Sequence, residues 1–496
     1  MKQRDSYDSL MKLGFFKSVD ILTSLSSEQS TSVLIAKAKA LLSLGKYQES
    51  LKVLETIEKD KCDEKEMNKI LEMRFNCYMH SNNASTKCLT LLPLLANRKL
   101  TPKLHIYAAE TYILQESTRS PNHPAIPHLL EVLKICPTAI ELVEKLLFVG
   151  ASISNVIENI PAGIVRTYLQ SLQLSENLQY QEAIDCLMKE NTDFKVVPTC
   201  ILNQICLNAY KCGKMELFDT TSEIIPKDDT EIIDIRAERL KILNKKNELH
   251  QLVLIALNAN ENNSNTWVAF SHYLELIGDS QRALQASRKA ILLDNRSRRA
   301  YMRHGELRMN KNDFKKALTS YMKAHQIKEL LDSYTAIINC CCLLEDWEIA
   351  ESFAKKAQIV YPFDSPNGAY SLGLVGIALR GRNPEKAIKF LQEALKKEPN
   401  NSIALDAMIE MKIKEDKLDL AEKILNEYKK VHDFYYWFKM GEIYGIKKDF
   451  EKALEYIFNA SQIDPTNEKA KDMLNQLELS LRNQSDSVFD SDDDNI

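Results

Sequence analysis

Cys340, Cys341 and Cys342 form the densest run of nucleophilic or metal-ligating side chains in this 496-residue chain. Three thiolates could hold zinc only if their sulfurs converged on one point. Consecutive residues of a helix point in three directions, which defeats tetrahedral coordination. Cys200, Cys206 and Cys212 are six apart, about 600° around a helix, so they share no face either. None of the eleven cysteines forms a C-x2-C pair, and buried small thiols in a reducing compartment are expected. His123 and His128, five apart in a proline-rich loop, and the other scattered histidines lack metal-ligand spacing. Gly373, Gly376 and Gly381 resemble a fragment of a phosphate loop, but no strand precedes them, so packing is the expected role. No nucleophile elbow, HExxH, kinase set or dinucleotide fingerprint is present. The expectation is therefore a chain that is not an enzyme, with no catalytic residue, no cofactor and no metal.

What remains could bind rather than react. Arg296, Arg298, Arg299, Arg303 and Arg308 crowd one short stretch, and Phe-Tyr-Tyr-Trp-Phe at 434–438 is the densest aromatic cluster. Ser485, Ser487 and Ser491 lie among aspartates and would suit an acidophilic kinase, although a solubilising tail is the simpler role. The net charge is −4, and residues 483–496 hold five Asp and no basic residue, leaving a body near +1. So little charge gives little counterion-release drive, and no nucleic-acid partner is expected. The longest apolar stretches, such as 252–257, are far too short to cross a bilayer, so no membrane association is expected either. Residues 1–16 carry scattered charges without an apolar core, which argues against a secretory signal and for an intracellular protein.

The elements that position these side chains are helices in pairs. Gly and Pro are scarce, 13 and 14 residues, which favours long helices with short turns. Trp437-x2-Met440-Gly441-x2-Tyr444 is followed by Ala453-x3-Ile457-x2-Ala460 and then Pro465. Gly441 and Ala453 are small where two helices cross, Trp437 and Tyr444 fill the space beside them, Ala460 admits the next pair, and Pro465 stops the second helix. This is the 34-residue helix–turn–helix phrase of the tetratricopeptide repeat. The first alanines of successive units, Ala283, Ala317, Ala350, Ala387, Ala421 and Ala453, keep a near-constant spacing. Ala290, Ala324, Ala357, Ala394 and Ala460 follow their partners by seven, whereas Ala421 is followed by Tyr428. Trp267 occupies the position of Trp437, and Gly305 that of Gly441.

The expected architecture is all-α: a tetratricopeptide-repeat superhelical solenoid of about 12–13 helical hairpins with a C-terminal capping helix. Residues 1–163 read as degenerate helical repeats, in which Leu34, Ala38, Leu41 and Leu54 keep repeat positions around the Gly45-Lys46 turn. The turn at 117–124, rich in breakers, is expected to be exposed and mobile. Residues 164–263 read as further degenerate repeats, 264–466 as regular ones, 467–482 as the capping helix and 483–496 as an acidic, unfolded tail.

Such repeats bind through the groove side of their first helices. On that side Arg299 and Arg303 resemble half of the carboxylate clamp of chaperone-binding tetratricopeptide domains. The other half is missing, because Ala269, Asp234 and Glu238 stand where Asn or Lys is needed. Arg299 and Arg303 remain groove candidates for an acidic or C-terminal peptide, set against pairing within the chain. Tyr435 and Phe438 are candidate groove anchors, set against packing on a neighbouring helix. Trp437 is assigned to the core.

Beyond the generic repeat, the order of units resembles the anaphase-promoting complex (cyclosome) subunit 7 family. The blocks carrying the likeness are 100–112 with its lengthened turn, 129–152, 265–294 and 449–470 before the acidic tail. The resemblance implies a non-catalytic scaffold in a RING-type ubiquitin ligase of the cell cycle, working in nucleus and cytoplasm. It also implies homodimerisation through the N-terminal repeats, within about residues 1–160, and a place in a tetratricopeptide arc. The implied partners are itself, the other tetratricopeptide subunits and the coactivators. The alternative is an adaptor or co-chaperone that binds peptide segments in its groove. Leu34, Leu41 and Tyr78 could serve either packing or the dimer.

Overall fold

The computed structural model describes residues 2–26, 30–57, 62–81, 84–96, 98–115, 120–190, 197–365, 367–399, 401–427, 434–463 and 468–489. Among the described residues there are twenty-nine α-helices, one short 3-10 helix and no strand. The helices follow one another in fourteen pairs and end on an unpaired one. This exceeds the expected twelve to thirteen because Lys2–Lys12 and Phe16–Leu25 form an additional pair. The chain divides into two compact units, Met1–Ile225 and Pro226–Ile496.

In the first unit, Thr31–Ser43 and Tyr47–Glu55 meet across the Gly45 turn with Ala38 and Leu54 fully buried. Pro102–Gln115 pairs with Ala125–Ile135, and Ile140–Phe148 follows. Leu129, Val143, Leu146 and Leu169 share their core. Tyr78 packs beside Phe75 and Leu104. Of the turn expected to be mobile, 116–119 lie outside the described residues; its far side is anchored, with His123 buried and capping Ala125 through Nδ1.

In the second unit, every alanine of the sequence pattern is fully buried: Ala283, Ala290, Ala317, Ala324, Ala350, Ala357, Ala387, Ala394, Ala421, Ala453 and Ala460. The small residues sit where helices touch. A Cβ at Gly441 would lie 2.4 Å from Ile457 Cδ1, and one at Gly305 would lie 2.4 Å from the Tyr321 ring. Trp267 is half-buried against Phe270 and Ala286, its indole under the Lys289 ammonium at 3.7 Å. Trp437 is likewise half-buried, against Tyr436 and Tyr456. Pro465 lies outside the described residues.

Hairpin turns repeat in backbone as well as in side chain. Two residues past the end of the first helix, the chain turns left-handed at Gly45, Leu178, Gly213, Asn244, Gly278, Asn312, Glu345, Asp416 and Lys448. This is the helix-ending conformation that glycine adopts at least cost. Asp279, Asn383 and Asn401 cap the helices that follow them by accepting backbone N–H bonds.

The final helix runs Glu468–Phe489 rather than stopping at 482, so part of the expected tail is helical. Residues 483–489 contain neither Gly nor Pro, and nothing in the backbone chemistry stops the helix there. Residues 490–496 lie outside the described residues.

Candidate partner-binding groove

The first helices of the second unit present their polar rows to one another. Arg298–Asn310, Leu331–Leu343 and Gly368–Leu379, with Ile403 beyond them, line a groove of about 580 Å³. Met302, Met309, Ala336 and Ile403 give it apolar walls, and Glu306, Asp332 and Tyr370 give it polar ones.

Arg303 does not face this groove as a free cation. It is 3% exposed, and its guanidinium donates to Ser271 Oγ at 2.9 Å, to the Ser271 carbonyl at 3.2 Å and to Glu275 at 2.6 Å. The expectation of a groove residue is corrected here: repeat position 6 aims the side chain at the preceding first helix, where Ser271 and Glu275 consume it. Arg299 is about one-third exposed and donates to the buried Asp234 at 2.6 Å. Arg298 bonds to Asp332, and Arg308 to Asp313 at 3.0 Å. The basic stretch is thus largely neutralised within the chain.

Glu275 is the hub of this network, also receiving Lys241 at 2.5 Å and Asn310 at 2.8 Å. Burial alone would raise its pKa, but the charges of Arg303 and Lys241 outweigh it and hold the carboxyl below its usual range. Beside it, burial drives His272 well below the ordinary histidine pKa, helped by the same two cations.

Tyr435 is half-buried and donates to Asp406 at 2.8 Å; burial first, and then the Asp406 charge, push its phenol pKa up. Phe438 packs with Ala453, Ile457 and Leu477 and stacks on Phe434. It also borders a second recess, about 690 Å³, between Lys439 and the last helix at Met473 and Leu477. Both aromatics therefore serve packing, and Phe438 alone of the two borders the recess.

The first unit has its own recess of about 910 Å³, bordered by Tyr7, Met11, Ile35, Lys39, Lys69, Glu72 and Tyr107. No sequence pattern pointed to it, since it depends on the N-terminal helix pair, whose residues follow no repeat phrase.

None of these arrangements resembles a reacting site. Burial pushes the Cys340 thiol up to about 12 and Cys341 to about 11, so neither offers a thiolate near neutrality. Among the described residues no three His, Cys, Asp or Glu side chains converge as a metal site would require. The space beside Gly376 is filled by Leu391, and that beside Gly381 by Trp347, as packing glycines require.

Paired helices, with small buried residues at the crossings of the second unit and charge-linked first helices there, make this a tetratricopeptide-repeat fold. The tetratricopeptide repeat model matches residues 299–329 and 434–467. The chain is similar to anaphase-promoting complex subunit 7 of Arabidopsis thaliana, with 24% identity over 401 residues covering 73% of this chain and 68% of that protein. It is similar also to anaphase-promoting complex subunit 7 of Dictyostelium discoideum, with 22% identity over 438 residues covering 82% and 73%. Among solved structures, a chain of the APC/C hetero-tetramer Cut9–Hcn1 aligns with a TM-score of 0.55 over 95% of both chains. At 13% identity that likeness is one of fold.

Proposed function

We propose that this chain is a non-catalytic scaffold subunit of the anaphase-promoting complex. Its tetratricopeptide repeats form part of an arc that holds other subunits and a coactivator at fixed separation. The observation that carries the reading is the similarity to subunit 7, which extends over most of this chain and most of both relatives. The physics agrees: rigid helix pairs raise the effective concentration of bound partners without performing chemistry. The chain's neutralised arginines speak against a carboxylate-clamp co-chaperone.

The chain works as a homodimer through its N-terminal repeats, in nucleus and cytoplasm. Leu13 and Phe15, in the turn of the first helix pair, and Leu25, at its end, support a protein contact there, standing 71%, 54% and 78% exposed. Light scattering tests the dimer. A mass near twice 56.8 kDa is expected, and a monomer at micromolar concentration contradicts it.

The methionine-walled groove favours a second reading, an adaptor that holds peptide segments. Sedimentation of the purified chain mixed with the purified tetratricopeptide subunits separates the two. Co-migration supports the scaffold; independent migration beside tight capture of short peptides supports the adaptor.

A further inference from the structure

His105 and His128 are 23 residues apart in the chain, yet their Nδ1 atoms meet at 3.0 Å. His105 stands on Pro102–Gln115 and His128 on Ala125–Ile135, the two helices of one hairpin. The rings do not stack face to face. Their planes are tilted by 52° at a centroid separation of 5.2 Å, so the nitrogen edges converge. Tyr112, on the same helix as His105, stacks on His128 at 5.8 Å and fixes that ring. Both histidines are only partly buried, which leaves an ion a way in from solvent.

As it stands, one ring donates its Nδ1 proton to the lone pair of the other, which spends two ligand atoms on one hydrogen bond. Zn–N bonds of about 2.0–2.1 Å set neighbouring ligand nitrogens roughly 2.8–3.4 Å apart, for angles between a right angle and the tetrahedral one. The pair already has such a separation. A carboxylate is at hand as well. Glu131 follows His128 by three residues, on the same side of the helix, and its charge acts on His105. It is bound to Lys134 at 2.5 Å, in an exposed ion pair of little strength, and so does not yet converge on the rings.

We propose that His105 and His128 bind a zinc ion through their Nδ1 atoms, with Glu131 and water completing its coordination. The donating ring moves its proton from Nδ1 to Nε2, so the ion enters between two lone pairs with no net proton released. Two imidazoles are fewer than the three protein ligands of a catalytic zinc or the four of a structural one. The ion is therefore exchangeable, and when bound it staples the two helices of the hairpin together. Imidazole suits zinc, whereas magnesium prefers oxygen ligands and serves as the negative control.

The test titrates zinc chloride into the purified 496-residue protein by calorimetry, beside His105→Gln, His128→Gln, Glu131→Gln and the exposed control His250→Gln. The exposed thiols of Cys136, Cys200 and Cys212 also attract zinc, so each variant is read as a difference from the unsubstituted protein. Loss of one equivalent is expected in His105→Gln and in His128→Gln, and none in His250→Gln. Glu131→Gln should keep that equivalent at about tenfold lower affinity. Thermal melts with and without zinc guard against a variant that is merely less stable, because only the zinc-induced rise in Tm is read. That rise should shrink in both ring variants, and magnesium should produce none. Unchanged stoichiometry and an unchanged rise in either ring variant overturn the shared site. Full affinity in Glu131→Gln overturns the part given to the carboxylate.

Discussion

The Arg303 guanidinium and the Glu275 carboxylate stand 2.6 Å apart although 28 residues separate them in the chain. Both are largely withdrawn from water, and they join the first helices of neighbouring repeats. Such a pair costs desolvation when formed, but losing one partner leaves a buried charge uncompensated. Arg303→Met should therefore lower unfolding stability by about 3 kcal/mol, softened because Lys241 stays on Glu275. Urea denaturation checks this, and a loss under about 1 kcal/mol would contradict the burial of the pair.

The same network explains which part of the groove was legible beforehand. The spacing of Ala283 to Ala453 fixes where the helices cross, because small residues are required wherever backbones approach. It places Arg303 on the groove side of its helix but says nothing of what the preceding helix offers it. Ser271 and Glu275 were visible one repeat upstream; pairing first-helix positions across repeats would have found the bond. The N-terminal pair Lys2–Lys12 and Phe16–Leu25 carries no alanine phrase, so periodicity alone missed it.

Helix crossings discriminate between neighbouring glycines. At Gly441 a Cβ would collide with Ile457, whereas at Gly445 it would meet Met473 Cε at 3.5 Å and Leu477 Cδ2 at 3.7 Å, both ordinary contacts. Gly441→Ala should destabilise by about 1–3 kcal/mol through overpacking. Gly445→Ala should be neutral or stabilise by up to about 1 kcal/mol, because it removes glycine from a helix interior. Denaturation midpoints of the two variants should move apart.

Left-handed turns offer a second contrast. Glu345 and Leu178 adopt φ near +61° and +65° where Gly278 adopts +84°. Glycine carries no Cβ penalty there, so Glu345→Gly and Leu178→Gly should each stabilise by about 1 kcal/mol. Gly278→Ala, with open space around its missing Cβ, should destabilise by a similar amount for conformational reasons alone. Thermal melts decide, and a destabilising result at both Glu345 and Leu178 would mean those side chains hold contacts worth more than the strain.

Acid should weaken the fold through histidines before it reaches the carboxylates. His105 and His128 face each other with Nδ1 atoms 3.0 Å apart, a contact that needs at least one ring neutral, and burial lowers both pKa values. Lys134 and Glu131 lie on the second of these helices, and the Glu110–Lys145 pair connects the first to the next hairpin. In the second unit, burial and the Arg308 and Arg288 charges bring His304 down to about 4. Depressed histidine pKa values mean that the unfolded chain binds more protons below about pH 6.5. Stability is therefore full above that point and is lost as pH falls toward 4. The melting temperature should drop by a few degrees between pH 7 and 5, and His304→Gln should flatten the curve between about pH 6 and 4.5. A melting temperature constant over that range would contradict the burial of these rings.

A scaffold is defined by the partners it holds in the cell. A tag on the chromosomal copy, expressed at native abundance, followed by affinity purification and quantitative mass spectrometry, measures them. The scaffold reading predicts the other tetratricopeptide subunits of the anaphase-promoting complex and its RING subunit at near-equal stoichiometry. Recovery of the chain alone, or with chaperones only, would contradict it.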